Sequence, residues 1–317
     1  MIDFSDCIEC PNTFDGANNK LPVIYNDQQY MLKFTTYLES DPKKPMQASY
    51  VNVPISEHLG SSIFKSIGIP TQETLLGFYH DRKVVACKDF ISERGHDNFA
   101  LVEFKKLETS FLGSSSAGGR TPLYENLCNI FANHKQLAPI REAAFKNYWE
   151  IYIGDALIGN FDRHAGNWGY ILDRGKNQLI ETAPVYDCGG SLYPQLSESA
   201  MEQLLLDKDA IKERILTFPT SCLMIDGKKV CYHDFLLSEE GEKCREVLLD
   251  VFDRIDIHSI KALIQGIFGQ SDVQREFFST LISSRYEQIL VPAYEKAVAE
   301  RNKIISAPKD KGGSAKC

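Results

Sequence analysis

The chain has 317 residues, 43% of them hydrophobic and 25% charged, with a formal net charge of −8. That is enough to bury a sizeable core as two lobes or one large domain, and the acidic balance argues against a direct nucleic-acid partner, which needs a broad excess of Lys and Arg against phosphate. No apolar run is long enough to span a bilayer, and the first residues, Met1 to Asp6, are acidic rather than secretory in character, so the composition predicts a cytoplasmic protein.

The nine cysteines are odd in number and scattered. Cys7 and Cys10 have the spacing of half a zinc site, with Cys222, Cys231 and His233 as a distant second half. A structural site wants four well-spaced ligands, so the pattern predicts reduced, mostly buried thiols.

Along the first ninety residues the pattern is mainly that of strands. Leu21 to Tyr25, a turn at Asn26-Asp27 and Tyr30 to Phe34 predict a hairpin. Leu75 to Tyr79, a turn at His80-Asp81-Arg82 and Val84 to Cys87 predict a second. Between them Pro54 opens a helix with Leu59, Ile63 and Ile67 on one face, closed by Gly68. Lys33 sits inside an otherwise apolar strand, a costly place for a charge without a partner, and Glu57 in the first turn of the following helix is its natural counter-ion.

Beyond about Phe90 the periodicity turns helical. Leu112 to Arg120 reads as a surface loop, since no Gly-Lys-Ser/Thr follows its glycines. A helix is predicted from Ile140 to Ile158, with Ala144, Tyr148, Ile151 and Ile158 at helical spacing, and it delivers the chain into an acid-rich loop. A short hairpin is predicted over Trp168–Leu172 and Gln178–Ile180. Further helices are predicted over Ala200–Leu216, Glu242–Ile255, Ser259–Phe268 and Asp272–Lys303. The end of the chain, with Pro308, Gly312, Gly313 and Ser314, reads as a tail that packs against nothing.

The acid-rich loop is Gly159-Asn160-Phe161-Asp162-Arg163-His164-Ala165-Gly166-Asn167, followed after the hairpin by Tyr186-Asp187-Cys188-Gly189. An acid, an Asn five positions on and a second acid before Gly suit ATP-dependent phosphoryl transfer. That reaction needs positioning and charge neutralisation more than a strong base. Asp162 is the candidate to orient or deprotonate an incoming hydroxyl. Asn167 and Asp187 are the candidate Mg²⁺ ligands, being hard oxygen donors for a cation that keeps waters and phosphate oxygens. His164, between them, is a candidate for loop bracing or for acid–base work. Asp155, one turn back in the preceding helix, reads as an anchor for the loop.

Lys33 is then the candidate cation for the α- and β-phosphates, with Glu57 beside it. Gly16-Ala17-Asn18-Asn19-Lys20 precedes the first hairpin and offers backbone N–H groups to phosphate oxygens. Cys87-Lys88-Asp89-Phe90, between the strand-rich and helical regions, is the candidate segment for contacts to the nucleotide ring.

The residues Gly16 to Leu21, Lys33, Leu157 to Asn167 and Pro184 to Asp187 resemble the HipA-like serine/threonine kinases, in order along most of the chain. The resemblance implies an α+β, two-lobed protein-kinase-like fold: a small β-rich lobe over residues 1–90, a larger helical catalytic lobe over 91–305 and a flexible tail from 306. It implies ATP and Mg²⁺ as cofactors and a protein Ser or Thr hydroxyl as acceptor. Asp162 would be the base, Asn167 and Asp187 the metal ligands, and Lys33 the phosphate-contacting lysine. Export as a bacterial effector without a signal peptide is a further implication.

Two departures stand out. Gly166 lies where the family often has Lys, and Asp187-Cys188-Gly189 is closer to the metal-binding triplet of conventional protein kinases. Some relatives phosphorylate themselves on a Ser ahead of the Gly-Ala loop, and Thr13 is the nearest equivalent here. The Asp162-Arg163-His164…Asn167 run also resembles phosphoinositide kinases, a reading weakened by the lack of a basic membrane-facing cluster. A catalytically silent kinase fold acting as a binding module is the third alternative. Its mark, a missing metal ligand, is absent.

Overall fold

The computed structural model describes residues 2–10, 20–35, 52–113 and 121–306. The expectations placed on Thr13, on Gly16 to Asn19, on most of the loop near Ser115 and on the tail beyond Ser306 lie outside the described residues.

A six-stranded sheet forms first. Its strands are β1 (Ile2–Asp3), β2 (Ile8–Glu9), β3 (Lys20–Tyr25), β4 (Gln28–Phe34), β5 (Thr74–Tyr79) and β6 (Arg82–Lys88), in the order β1-β5-β6-β4-β3-β2. The β1–β5 pair is parallel and the other neighbours are antiparallel. Asn26 and Asp27, at φ +50° and +59°, close the β3–β4 hairpin in the left-handed conformation that matches strand twist, as the sequence predicts. Phe4, Val23, Leu32, Val84 and Ala86 form the core of one sheet face.

Helix α1 (Val53–Ser66) crosses from β4 to β5. It packs against β4, β5 and β6, yet its Leu59, Ile63 and Phe64 join the large hydrophobic cluster of the helical region. It therefore joins the sheet to the core of the helical region.

The remainder contains more strand than the sequence pattern suggests. β7 (Phe99–Glu103), α2 (Phe104–Leu112), α3 (Tyr124–Asn133) and α4 (Arg141–Ile158) lead to β8 (Gly169–Asp173) and β9 (Gln178–Thr182). The predicted hairpin is β8–β9, and β7 adds to it as the outer strand of a three-stranded antiparallel sheet, β7-β8-β9. Central helix α4 is buried on nearly every side from Asn147 onward, so its apolar groups run all round rather than along one stripe.

The helix predicted over Ala200–Leu216 is two, α5 (Glu198–Leu206) and α6 (Lys208–Leu216). Asp207 breaks it by accepting the N–H groups of Asp209 and Ala210 at 3.1 and 3.0 Å, an N-cap that starts a new helix. Then come the hairpin β10 (Thr220–Ile225) and β11 (Lys228–Cys231), α7 (Tyr232–Leu237), α8 (Glu242–Val251), α9 (Ile257–Gly266), α10 (Asp272–Arg285) and α11 (Val291–Ser306). The predicted long terminal helix is interrupted by a wide π turn at Tyr286–Leu290. Pro292 follows it closely and lacks the N–H that a regular helix would return to that turn. The fold is thus α+β with a β-rich first part and a mainly helical second part. Among the described residues no helix is long and apolar enough to cross a membrane.

Candidate active site

The site begins where α4 ends. Gly159 caps the helix in the left-handed conformation, and the chain turns into the loop from Asn160 to Asn167. One buried ion pair fixes that loop. The Arg163 guanidinium, 5% exposed, donates Nε to Asp155 Oδ2 at 2.8 Å and Nη2 to Asp155 Oδ1 at 3.1 Å. Burial opposes charge on Arg163, but the adjacent Asp155 carboxylate outweighs it and keeps the guanidinium protonated. Asn160 Nδ2 donates to Asp155 Oδ1 at 3.0 Å, the third donor to that carboxylate.

The same guanidinium spans the two halves of the motif. Its Nη1 donates to the Asn167 carbonyl at 2.9 Å and also to the Tyr186 carbonyl, so the main chain of one candidate metal ligand and of the residue before the other is gathered on one nitrogen. The Tyr186 hydroxyl donates to the Gly166 carbonyl at 3.0 Å, a second tie between the same segments. Asp155 therefore acts as the expected anchor. Arg163, although part of the motif, was not singled out from the sequence; an Arg eight positions after a helix-buried Asp was the available signal.

Asp162 is exposed, with its backbone held on both sides. Its N–H donates to Asn160 Oδ1 at 3.0 Å, and its carbonyl accepts the His164 N–H and Asn167 Nδ2, each at 2.8 Å. The Asn167 amide donates inward, which leaves Oδ1 as its acceptor end. His164 Nδ1 accepts the Gly166 N–H at 3.1 Å, so this ring braces the loop through that nitrogen. Gly190 lies against the loop: a Cβ there would stand 2.8 Å from Asp162 Cβ and 2.9 Å from Asn160 Oδ1.

From the first sheet, Lys33 on β4 points its ammonium between two carboxylates. Nζ lies 3.0 Å from Glu57 Oε2 and 3.0 Å from Asp187 Oδ1. Glu57, fully buried in α1, accepts the Cys188 N–H on its other oxygen at 3.0 Å, which closes a circuit from the sheet through α1 to the residue after Asp187. Burial disfavours charge at both ends of the Lys33–Asp187 contact. Mutual attraction wins: Asp187 is held down at about 2, aided by Lys20 and Arg163, and Lys33 is raised well above its ordinary value. Asp187 is 36% exposed and sits at φ +58°, a backbone state unusual outside glycine.

Lys20 opens β3 opposite Lys33. Cys87 is buried near Lys33, and burial pushes its thiol far up, so it is an apolar wall rather than a nucleophile. Much of Lys88 and Asp89 is already engaged: Lys88 N–H with the Glu73 carbonyl, its carbonyl with Gln72 Nε2, and Asp89 N–H with the Gln29 carbonyl. The Asp89 carboxylate accepts the N–H groups of Ile91 and Ser92. Phe90 packs on Tyr186 with ring centroids 6.0 Å apart, beside Ile171 and Ala183.

The cysteines of the distant zinc reading have partners of their own. Cys222 and Cys231 donate to the carbonyls of Phe161 and Thr217 at 3.0 and 3.1 Å. Among the described residues, no group of three or more His, Cys, Asp or Glu is arranged to hold a metal. A groove of about 900 Å³ along Cys128, Phe131, Pro139 and Phe145 lies outside this residue set.

The HipA-like C-terminal domain matches residues 13–258, which contain every residue placed in this site. The chain belongs to the HipA-like family. It is 35% identical over 303 residues to the serine/threonine-protein kinase CtkA of Helicobacter pylori strain J99, covering 94% of this chain and 89% of that protein. The crystal structure of a Helicobacter pylori proinflammatory kinase CtkA superposes with a TM-score of 0.82 at 31% identity, covering 95% and 99% of the two chains. A HipA from a Shewanella oneidensis complex with HipB and operator DNA shares the HipA-like fold at a TM-score of 0.54 and 14% identity, covering 90% of this chain and 70% of that one.

Proposed function

We propose that this chain is an ATP-dependent protein serine/threonine kinase that requires Mg²⁺ and phosphorylates itself as well as other proteins. The observation that carries the reading is the joint arrangement of an exposed Asp162, an Asn167 with its amide oxygen left as acceptor, and an anionic Asp187 beside Lys33. The similarity to CtkA supports the same reaction class.

In this account Asp162 accepts a hydrogen bond from the acceptor hydroxyl and takes its proton as the oxygen attacks. Asn167 and Asp187 hold the divalent ion, and their donors fit: one neutral amide oxygen and one ionised carboxylate leave the ion its waters and phosphate oxygens. The ion, when bound, neutralises charge on the β- and γ-phosphates. Lys33, kept charged by two carboxylates, contacts the phosphates while Glu57 retains its grip. Lys20, opposite Lys33 on the neighbouring strand, adds a second cation for them. The N–H of Phe90, which has no hydrogen-bond partner among the described residues, faces the nucleotide base. We place the boundary between the two lobes near residue 90.

The test incubates wild type and Asp162→Asn with Mg²⁺-ATP and either a generic protein acceptor or phosphoinositide vesicles. The reading expects phosphoserine or phosphothreonine with wild type alone. Transfer to lipid but not protein, or undiminished transfer by Asp162→Asn, overturns it.

A further inference from the structure

Three arginines are almost fully buried, and one is unlike the others. Arg163 pairs with Asp155, and Arg245 makes a bidentate pair with Glu300. Arg285, 1% exposed, has no carboxylate within ion-pair distance among the described residues. Its partners are main-chain carbonyls at two helix ends. Nε donates to the Ala156 carbonyl at 2.6 Å, in the last turn of α4, and Nη1 to the Ile215 carbonyl at 2.9 Å, in the last turn of α6. Nη2 is buried without a hydrogen-bond partner. The guanidinium thus balances its charge against the negative ends of two helices that converge on it.

That place matters because α4 ends in the catalytic loop. Gly159, at φ +63°, turns the chain directly over the guanidinium: a Cβ there would lie 3.4 Å from Arg285 Cζ. Tyr232 completes the support. Its ring lies 5.6 Å from Arg285 Cζ, and its hydroxyl donates to the Asn160 carbonyl at 2.6 Å, two residues before Asp162. The Leu192 N–H takes the Ile158 carbonyl at 3.1 Å, so the same helix end also holds the segment that follows Asp187.

We propose that Arg285, acting with Tyr232, is a positioning residue for phosphoryl transfer: it locks the carboxyl end of α4 and the Gly159-Asn160 turn so that Asp162 is presented in register with the metal ligands. It touches neither nucleotide nor acceptor. A role confined to stability would be served as well by an apolar side chain of similar size, without a buried cation lacking a carboxylate partner. A group that must hold several carbonyls in one geometry requires the guanidinium fork.

The inference rests on Asp162 being the residue that meets the acceptor. The experiment measures kcat, KM for ATP and Tm in Arg285→Met, Arg285→Lys, Tyr232→Phe and the control Arg245→Met, with Asp162→Asn alongside. The expected result is a kcat reduced about tenfold or more in Arg285→Met, with KM for ATP within about threefold, because the loop is misplaced while the nucleotide site persists. Arg285→Lys recovers part of the loss. Tyr232→Phe, which removes one donor and keeps the ring, lowers kcat in the same sense. Arg245→Met lowers Tm but leaves the kcat of the folded protein within about twofold.

If Arg285→Met or, should that variant not fold, Arg285→Lys and Tyr232→Phe keep wild-type kcat while only Tm falls, the proposal is overturned. Retained activity in Asp162→Asn would instead remove the site reading itself, so the two failures are distinguishable.

Discussion

Lys33 and Asp187 are 154 positions apart in the chain, and their side chains meet at 3.0 Å. The contact joins the first sheet to the segment that follows the β8–β9 hairpin. On the proposed reading, nucleotide phosphates and a divalent ion would compete for both partners, and the contact would loosen as ligand enters. Removing the cation has two consequences. Lys33→Met leaves Glu57 fully buried beside an unneutralised Asp187, and loss of one partner from a buried ionic network costs about 3–5 kcal/mol. The expected outcome is a lowered Tm together with at least ~100-fold loss of transfer. Glu57→Gln, which keeps shape and hydrogen bonding, should lose less stability. Thermal unfolding and phosphate-transfer rates on the same preparations check both.

Asp155→Asn tests the anchor of the loop. The substitution deprives Arg163, 5% exposed, of its only carboxylate among the described residues and perturbs the ties to Asn167 and Tyr186. A destabilisation of about 3–5 kcal/mol is expected, with activity falling even at temperatures where the protein remains folded. Denaturant unfolding of wild type and variant measures the first, and kcat at low temperature the second.

Gly190→Ala adds a methyl group where only 2.8 Å separates it from Asp162 Cβ. The other neighbour, Asn160 Oδ1 at 2.9 Å, is buried and held by the Asp162 N–H, so the loop has to shift. A misplacement of about 1 Å near the reacting atoms costs on the order of 100-fold in rate. Nucleotide affinity should change far less, because Lys33 and Asp187 lie outside that contact. Isothermal titration with ATP beside steady-state kinetics separates the two effects.

Much of this could be read from the sequence, and the exceptions have physical reasons. The Asp162…Asn167 loop and Asp187 stood out in the sequence because metal and phosphate chemistry would restrict both residue type and spacing, and the structure ties the two segments together through Arg163 and Tyr186. The two hairpins of the first sheet were legible because Asn26-Asp27 and the alternating apolar residues are strong local signals. Glu57 as partner of Lys33 followed from the cost of a charge in an apolar strand. β7 was missed because Phe99–Glu103 is short, half-buried along its length and runs straight into α2, and its pairing with β8 is long-range; Gly95 to Asn98 just ahead of it was the turn signal available. The β10–β11 hairpin was passed over although Asp226-Gly227, both at positive φ, is a strong turn signal. The break at Asp207 shows a cap outweighing continuous helical periodicity. The roles of Arg163 and Arg285 depend on which carbonyls they reach, and no periodicity encodes that.

Glu108 gives a pH prediction unconnected with the active site. Its side chain is 2% exposed, Oε2 has no hydrogen-bond partner among the described residues, and burial raises its carboxyl from 4.5 to about 7. The unfolded chain therefore ionises first, so stability falls as pH climbs from 4.5 to about 7 and levels off above that. Glu108→Gln removes this dependence. It should match wild type near pH 4 and exceed it at pH 8 by at most about 3 kcal/mol. Urea unfolding at the two pH values decides; an equal difference at both contradicts the assignment.

The central claim is that Asn167 and Asp187 grip one divalent ion beside the terminal phosphate of ATP. Its most direct measurement is phosphate transfer as a function of Mg²⁺ in wild type, Asn167→Ala and Asp187→Asn, with metal-free nucleotide binding recorded in parallel. The account predicts that both variants lose at least ~100-fold in transfer, that the Mg²⁺ needed for any residual rate rises in both, and that metal-free ATP binding stays within a few-fold of wild type. Transfer near the wild-type rate at unchanged Mg²⁺ in either variant would contradict it.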